Sequence, residues 1–431
     1  MMRARAVPVV FLLAAAAAAA GETIVLQGAT VHTVSGKDIP GGVVVIQDGK
    51  VASVGAGTAA PAGAKIVDLS GKHVYPSLFP PVTSLGLVEI SAVRATVDTA
   101  ELGEINPQAR ADFAMNFDSE LLPVARSAGI LVAGVSPSGG IVSGSAAAMK
   151  LDGWTREDAT LKAPAAITVT WPDLAIDRSP TARYSVRLQE KRRDEALQKL
   201  RDAFDDARAW AKARAAEGKS GVPRHDVDAR AEALIPAIEG KIPVLVVAGT
   251  AGQIRQALEW GKKEGLSIVI VGGADAWRLA DELAAAKTPV ILDGVLDLPI
   301  RSDEPYDARF AAPGRLAKAG VTVALSDGYG NSNAATVRNL PQQAAAAAAF
   351  GLPREKAVEA MTLAPARLLG VADRIGSIEM GKDATLIVTD GDILDLKTRV
   401  VAAYLDGREL DLTDKQKRLY ERYRNRPKPK P

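Results

Sequence analysis

The chain has no cysteine, three histidines in 431 residues, and only 4% aromatic residues. Without cysteine there is no disulfide, no thiolate metal site, no cysteine nucleophile and no lipid-modified N-terminal cysteine. With so little histidine, at His32, His73 and His225, a Ser-His-Asp triad has few candidates for its base. Neither sign of charge dominates, with 53 basic and 51 acidic residues. Two of the bases, Arg3 and Arg5, precede the first apolar run, so the overall balance has no pull toward nucleic acid or anionic lipid. Long apolar runs are missing too. The opening "MMRARAVPVVFLLAAAAAAA" is short and alanine-heavy, whereas a spanning helix needs about twenty strongly apolar residues. Its arginines, apolar centre and small residues before Gly21 predict a secretory signal over residues 1–21, and hence a periplasmic or secreted protein.

What is present has two textures. From Thr23 to Val74, short β segments are broken by glycine, as in "GGVVVIQDGKVASVG", and the Asp48-Gly49 pair predicts a hairpin. "ATLIVTDGDILDLKTRVVAAYLDGREL", from Ala384, has the same texture, so both ends of the chain are expected in one small β domain. Between them, apolar β-branched runs alternate with helical patterns. Strands are expected at Leu78 to Ser84, Ile130, Gly139 to Leu151, Ala166, Ile242, Ser267, Thr288 and Gly320, and helices at Ala251 to Glu264 and Ala274 to Ala286. Eight strands favour a closed (β/α)8 barrel over an open doubly wound sheet. Arg183 to Glu217 mixes acids and bases at helical spacing, which predicts a solvated outer helix. The closing "RNRPKPKP" cannot build a helix and reads as a disordered tail.

"VVIQDGKVASVG" with "VDLSGKHVYPSL", and "MTLAPARLLGVADRIGSIEMGKDATLIVTDGDIL" near the other end, resemble the amidohydrolase superfamily, in particular its imidazolonepropionase-like branch. The resemblance runs from about Thr23 to Leu410. It implies an α/β architecture: a (β/α)8 TIM-like barrel over residues 76–374, a composite β-sandwich from residues 22–75 and 375–412, and a C-terminal helix or disordered tail over 413–431. In that family one or two divalent metals at the carboxyl ends of the strands activate water and polarise the scissile carbonyl. The usual ligands are a His-x-His on strand one, a lysine or acid on strand four, histidines on strands five and six, and an aspartate on strand eight.

Aligned on that pattern, "YPSLFPPVTSLG" puts Val82 and Ser84 at the two histidines of strand one. Strand four, "AITVTWP", supplies Thr168 and Thr170; strand five supplies Val247 and Gly249; strand six supplies Gly272. Strand eight alone matches, with Asp327 in "ALSDGYG". One carboxylate cannot hold zinc, which takes three or four donors, so neither a catalytic metal nor another cofactor is expected. A carboxylate-only ion site from Asp293, Asp297 and Asp327 has nothing in its spacing to support it.

The polar groups left are Asp327, read as a structural acid or part of a binding pocket and also the one catalytic candidate, and Thr83, Ser84, Glu89, Arg94 and Asp293 as substrate-binding candidates. Glu89 and Arg94 belong to a long excursion after strand one, read as a lid or dimer contact. "VSPSGGIVSGSAAAMKLDGW" reads as a tight connection in preference to an anion nest, and "GIVSGSA" is not a nucleophile elbow. The expected role is ligand binding or partnership with an intact paralogue. The rival is hydrolysis of a cyclic amide or peptide-like substrate by Asp327, through a metal-free or carboxylate-only mechanism. Partners allowed on this basis are a small molecule at the barrel mouth, a second copy of the chain or a paralogous subunit, with no nucleic acid and no membrane.

Overall fold

A computed structural model describes residues 22–217, 226–330 and 334–427. The expected signal, His225 and the last four residues of the expected tail lie outside them.

The chain opens with β1 (Ile24–Val31), β2 (Ile39–Gln47), β3 (Lys50–Gly55), β4 (Lys65–Asp68) and β5 (His73–Pro76). The expected hairpin joins β2 to β3: Asp48 and Gly49 have φ of 51° and 77°, the paired positive values of a tight turn whose twist suits the strands. A Cβ on Gly49 would lie 2.9 Å from the Asp406 carbonyl oxygen, so glycine is required for space as well as for conformation. Not every pairing here is antiparallel, because β4 and β5 both run parallel to β1.

The central region contributes β6 (Val132–Val135), β7 (Val142–Lys150), β8 (Thr160–Thr170), β9 (Val244–Ala248), β10 (Ile268–Gly272), β11 (Val290–Asp293) and β12 (Val323–Ser326). The C-terminal region adds β13 (Leu386–Thr389), β14 (Val400–Leu405) and β15 (Arg408–Glu409). β13 pairs antiparallel with β5, so both chain ends meet in one sheet ordered β15-β14-β13-β5-β1-β2-β3, with β4 beside β1. The strands expected as a sandwich are thus hydrogen-bonded as one continuous sheet, and Leu26, Val44, Val74, Leu386 and Tyr404 form its buried face.

The barrel runs β6 to β12 in chain order and is closed by residues 78–84. Leu78 and Thr83 bridge in parallel to Ile130 and Val135. On the other flank the Ser326 hydroxyl donates to the Val82 carbonyl at 2.7 Å, and Ser84 N–H donates to the Gly328 carbonyl at 2.8 Å. Alternation assigns the two faces. Val244, Val246, Ile268, Ile270, Val290 and Leu292 pack outward under helices, whereas Leu245, Val269, Ile291 and Ala324 fill the interior with Phe79 and Val82.

One strand departs from the all-parallel expectation: β7 is antiparallel to both β6 and β8. The β6–β7 connection, residues 136–141, is far shorter than the dozen or so residues a parallel crossover needs, and hairpin geometry is what remains. Gly139 and Gly140, with φ of 105° and 67°, make the turn.

The helix Ala251–Glu264 has the expected bounds. Thr250 and Gln253 form a reciprocal cap at its start, and Gly265 ends it at φ 67°. The second expected helix begins as a 3-10 turn, Ala276–Leu279, and continues as Ala280–Ala285. The charged helix Val186–Ala216 buries only Leu200, Phe204 and Ala207. Phe204 meets Trp260 edge-on at 5.2 Å and so anchors this largely solvated helix to the barrel. Among the described residues no helix is long and apolar enough to cross a membrane.

Candidate functional site at the barrel mouth

β12 ends at Ser326, and the next residue, Asp327, is buried, 6% exposed. One carboxylate oxygen accepts from the Thr336 hydroxyl at 2.8 Å and the other from the Gln343 side-chain amide at 3.0 Å. Gln343 also accepts the Leu296 N–H at 3.1 Å. Asp327 therefore ties the loop after β11 and the helix Leu340–Ala349 to the barrel rim.

Asp293, the last residue of β11, shares the inward face with Ile291 and has no such partners among the described residues. Its carboxyl is pushed up to about 7, first by burial and then by the negative charges of Asp327 and Asp297. Arg309 offsets this weakly, because its guanidinium donates to the backbone carbonyls of Asp293 and Gly294, both at 3.1 Å, as well as to Asp297. Tyr329 donates to the Pro137 carbonyl at 3.3 Å, and burial together with the Asp293 charge raises its phenol well above the ordinary value.

The opposite side of the mouth is closed. Val82 is 1% exposed and belongs to the interior cluster. The Thr83 hydroxyl donates to the Gly134 carbonyl at 3.1 Å, and the Ser84 hydroxyl accepts the Gly330 N–H at 3.1 Å. Ser136, Ser143 and Thr168 bury hydroxyls that have no hydrogen-bond partner among the described residues. At the β10 end Gly272 has φ 90°, so a histidine there would need a left-handed backbone that side chains disfavour.

Two expected substrate contacts are placed elsewhere. Glu89 accepts from the Ser119 hydroxyl and from the Glu120 N–H, and so caps the helix Leu121–Ser127. Arg94 is exposed and donates to the Val97 carbonyl of its own turn at 2.8 Å. Their excursion does not hang free as a lid. Ile105 and Arg110 bridge to Val142 and Ser145, and a Cβ on Gly144 would meet the Ala109 carbonyl at 2.6 Å, so the loop is laid against β7. Of the residues singled out from sequence, Asp293 and Asp327 come together, Thr83 and Ser84 close the rim, and Glu89 and Arg94 serve their own loop. Thr336, Gln343 and Tyr329 were missed. Only Tyr329, two residues after Asp327, had a signal in its position.

Among the described residues no group of three or more His, Cys, Asp or Glu side chains is placed to hold a metal ion. His32 and His73 lie on the terminal sheet, 2.8 Å apart between ring nitrogens, with His32 also 2.8 Å from Asp38 and stacked on Tyr75 at 4.0 Å.

Comparison with known proteins agrees with this architecture. Residues 273–413 match the Amidohydrolase family. The crystal structure of an amidohydrolase from Thermotoga maritima MSB8 is similar over 90% of this chain and 99% of that one, at 27% identity and a TM-score of 0.78. Molinate hydrolase shares the fold at 17% identity and a TM-score of 0.53, over 91% of this chain and 95% of its own. The amidohydrolase tasK of Hapsidospora irregularis is 40% identical over 58 residues, which is 14% of this chain and 6% of that protein. The family match over residues 273–413, together with the agreement with an amidohydrolase structure over 90% of this chain, is the ground on which the chain belongs to the amidohydrolase superfamily.

Proposed function

We propose that this exported barrel acts by binding a small ligand or a partner subunit, and that it does not perform the superfamily's metal-assisted hydrolysis. The observation that carries this is the state of Asp327. The one acid in a ligand position has both oxygens engaged, by Thr336 and Gln343, and the facing strand ends offer Val82, Ser84, Val247 and Gly272. Zinc needs three or four nitrogen, sulfur or carboxylate donors at about 2.0–2.3 Å, and hydrocarbon side chains supply none. The residues at the mouth do not fit the family's metal. The test is elemental analysis of purified protein after equilibration with zinc and manganese. Well under one equivalent per chain is expected, and a stoichiometric ion retained through dialysis would overturn the proposal.

A second reading rests on Asp293. A buried carboxyl pushed up to about 7 is poised to move a proton, and beside Asp327, whose two oxygens both accept hydrogen bonds, it makes a pair whose environments differ. On that reading Asp293 takes a proton from the attacking water and returns it to the leaving nitrogen as the C–N bond of an amide or peptide-like substrate breaks. Relatives named as hydrolases support it as analogy only. Turnover of N-acyl or dipeptide substrates, abolished by Asp293→Asn with folding retained, would establish it; unchanged turnover in that variant would remove it.

A further inference from the structure

The near balance of charge over the whole chain hides an uneven distribution. Between Lys415 and Pro431 there are eight basic residues and one acid, Glu421. With a formal net charge of +2 for the whole chain, that segment alone carries a net +7 and leaves the rest at −5.

The described part of the segment is the helix Lys415–Arg424, whose Asp414 side chain caps Lys417 N–H at 2.8 Å. None of its residues is buried. A helix of ten residues is marginal in water without an apolar face packed on something, and this one has the face without the packing. Leu419, Tyr420 and Tyr423, at positions i, i+1 and i+4, form one stripe and are 37%, 62% and 60% exposed. At 3.6 residues per turn, Lys415 and Arg422 flank that stripe on one side, and Lys417 and Arg424 flank it on the other. Arg418, on the far side of the helix, pairs with Glu120 at 3.3 Å. The helix is thus fastened to the molecule by its back, and the aromatic stripe between its two rows of cations is turned outward.

We propose that this face docks on an anionic phospholipid bilayer. Tyrosines and a leucine at the headgroup boundary, with cations along both edges, are the arrangement of a helix lying in the interface plane. The acidic remainder of the chain disfavours flat adsorption of any other face. A nucleic acid or other soluble polyanion would use the cations but has no need of the stripe.

The test is co-sedimentation of the full chain with vesicles of phosphatidylcholine alone, and of phosphatidylcholine with roughly one-third phosphatidylglycerol. Binding to the anionic vesicles only is expected, with loss at high salt. Arg422→Glu with Arg424→Glu should weaken it at least about tenfold. Tyr420→Ser with Tyr423→Ser should weaken vesicle binding while leaving retention on heparin unchanged. All four positions are exposed, and circular dichroism of each variant checks that the fold is kept. No binding to anionic vesicles, equal binding to neutral ones, or vesicle binding that ignores the tyrosines would overturn the proposal; the last would identify a general polyanion site.

Discussion

At the barrel mouth two carboxylates, Asp293 and Asp327, repel each other, whereas on the terminal sheet His32 is held between Asp38 and His73 at 2.8 Å each. The sheet cluster is a complete chain: a neutral His32 with its proton on Nδ1 donates to Asp38 and accepts from His73. The mouth is divided. Asp327 has a donor on each oxygen, and among the described residues Asp293 faces two like charges and only the weak offset of Arg309. One cluster is settled by complementary neighbours and the other is left with an unresolved charge, and it is the unresolved one that lies where this superfamily does its chemistry.

Breaking the satisfied half of the mouth should have the largest effect. Asp327→Ala removes two charge-assisted hydrogen bonds and strands the Gln343 amide, at a cost of roughly 3–5 kcal/mol in denaturant unfolding. A loss below about 1 kcal/mol would mean Asp327 does not organise the rim. The unsatisfied half should respond with the opposite sign. Asp293 has its folded-state value raised to about 7 from 3.8, so between those values the native state binds the extra proton. Stability should therefore fall as pH rises from 4 to 7 and level off above, by on the order of 2–4 kcal/mol. Asp293→Asn should flatten that slope and be the more stable protein at pH 8; an unchanged pH profile would show the carboxyl is not strained.

The closed side of the mouth can be sharpened next. Val82→His puts an imidazole into a filled interior, with an expected overpacking cost of about 1–3 kcal/mol and no gain in zinc affinity by calorimetry, since Asp327 on the neighbouring strand end already has both oxygens engaged. The sheet cluster should respond least. Burial lowers His32 from its ordinary value, with Asp38 opposing and His73 adding to the shift. The neutral form is favoured, so its contribution is present above pH 6.5 and is lost as pH falls. His32→Gln should change stability at pH 7.5 by less than about 1 kcal/mol, and an NMR titration of His32 should show a midpoint below 6.5.

Much of the fold was legible in advance. Thr250, Gln253 and Gly265 carry the start and stop of a helix in their own chemistry, and Asp48-Gly49 carries a turn. The orientation of β7 was legible in principle from its six-residue connection, but the β pattern of "VSGSAAAMK" is the same in either direction. At the site, the acids on β11 and β12 could be located because each ends a strand with a clear apolar run. Their partners could not: Gln343 lies among alanines on a later helix, and nothing local marks it as the donor to Asp327. Glu89 looked like a mouth residue because it follows strand one, and it became a helix cap because Ser119 and Glu120 happen to reach it.

By itself the sequence determined which side chains stand at the strand ends, valine, serine and glycine among them; donor chemistry belongs to the residue and needs no neighbours. Only the tertiary structure decided that Asp327 is saturated and Asp293 is not. Hydrogen bonding and charge repulsion depend on what the fold brings within a few ångströms, and those groups come from segments the chain order keeps apart.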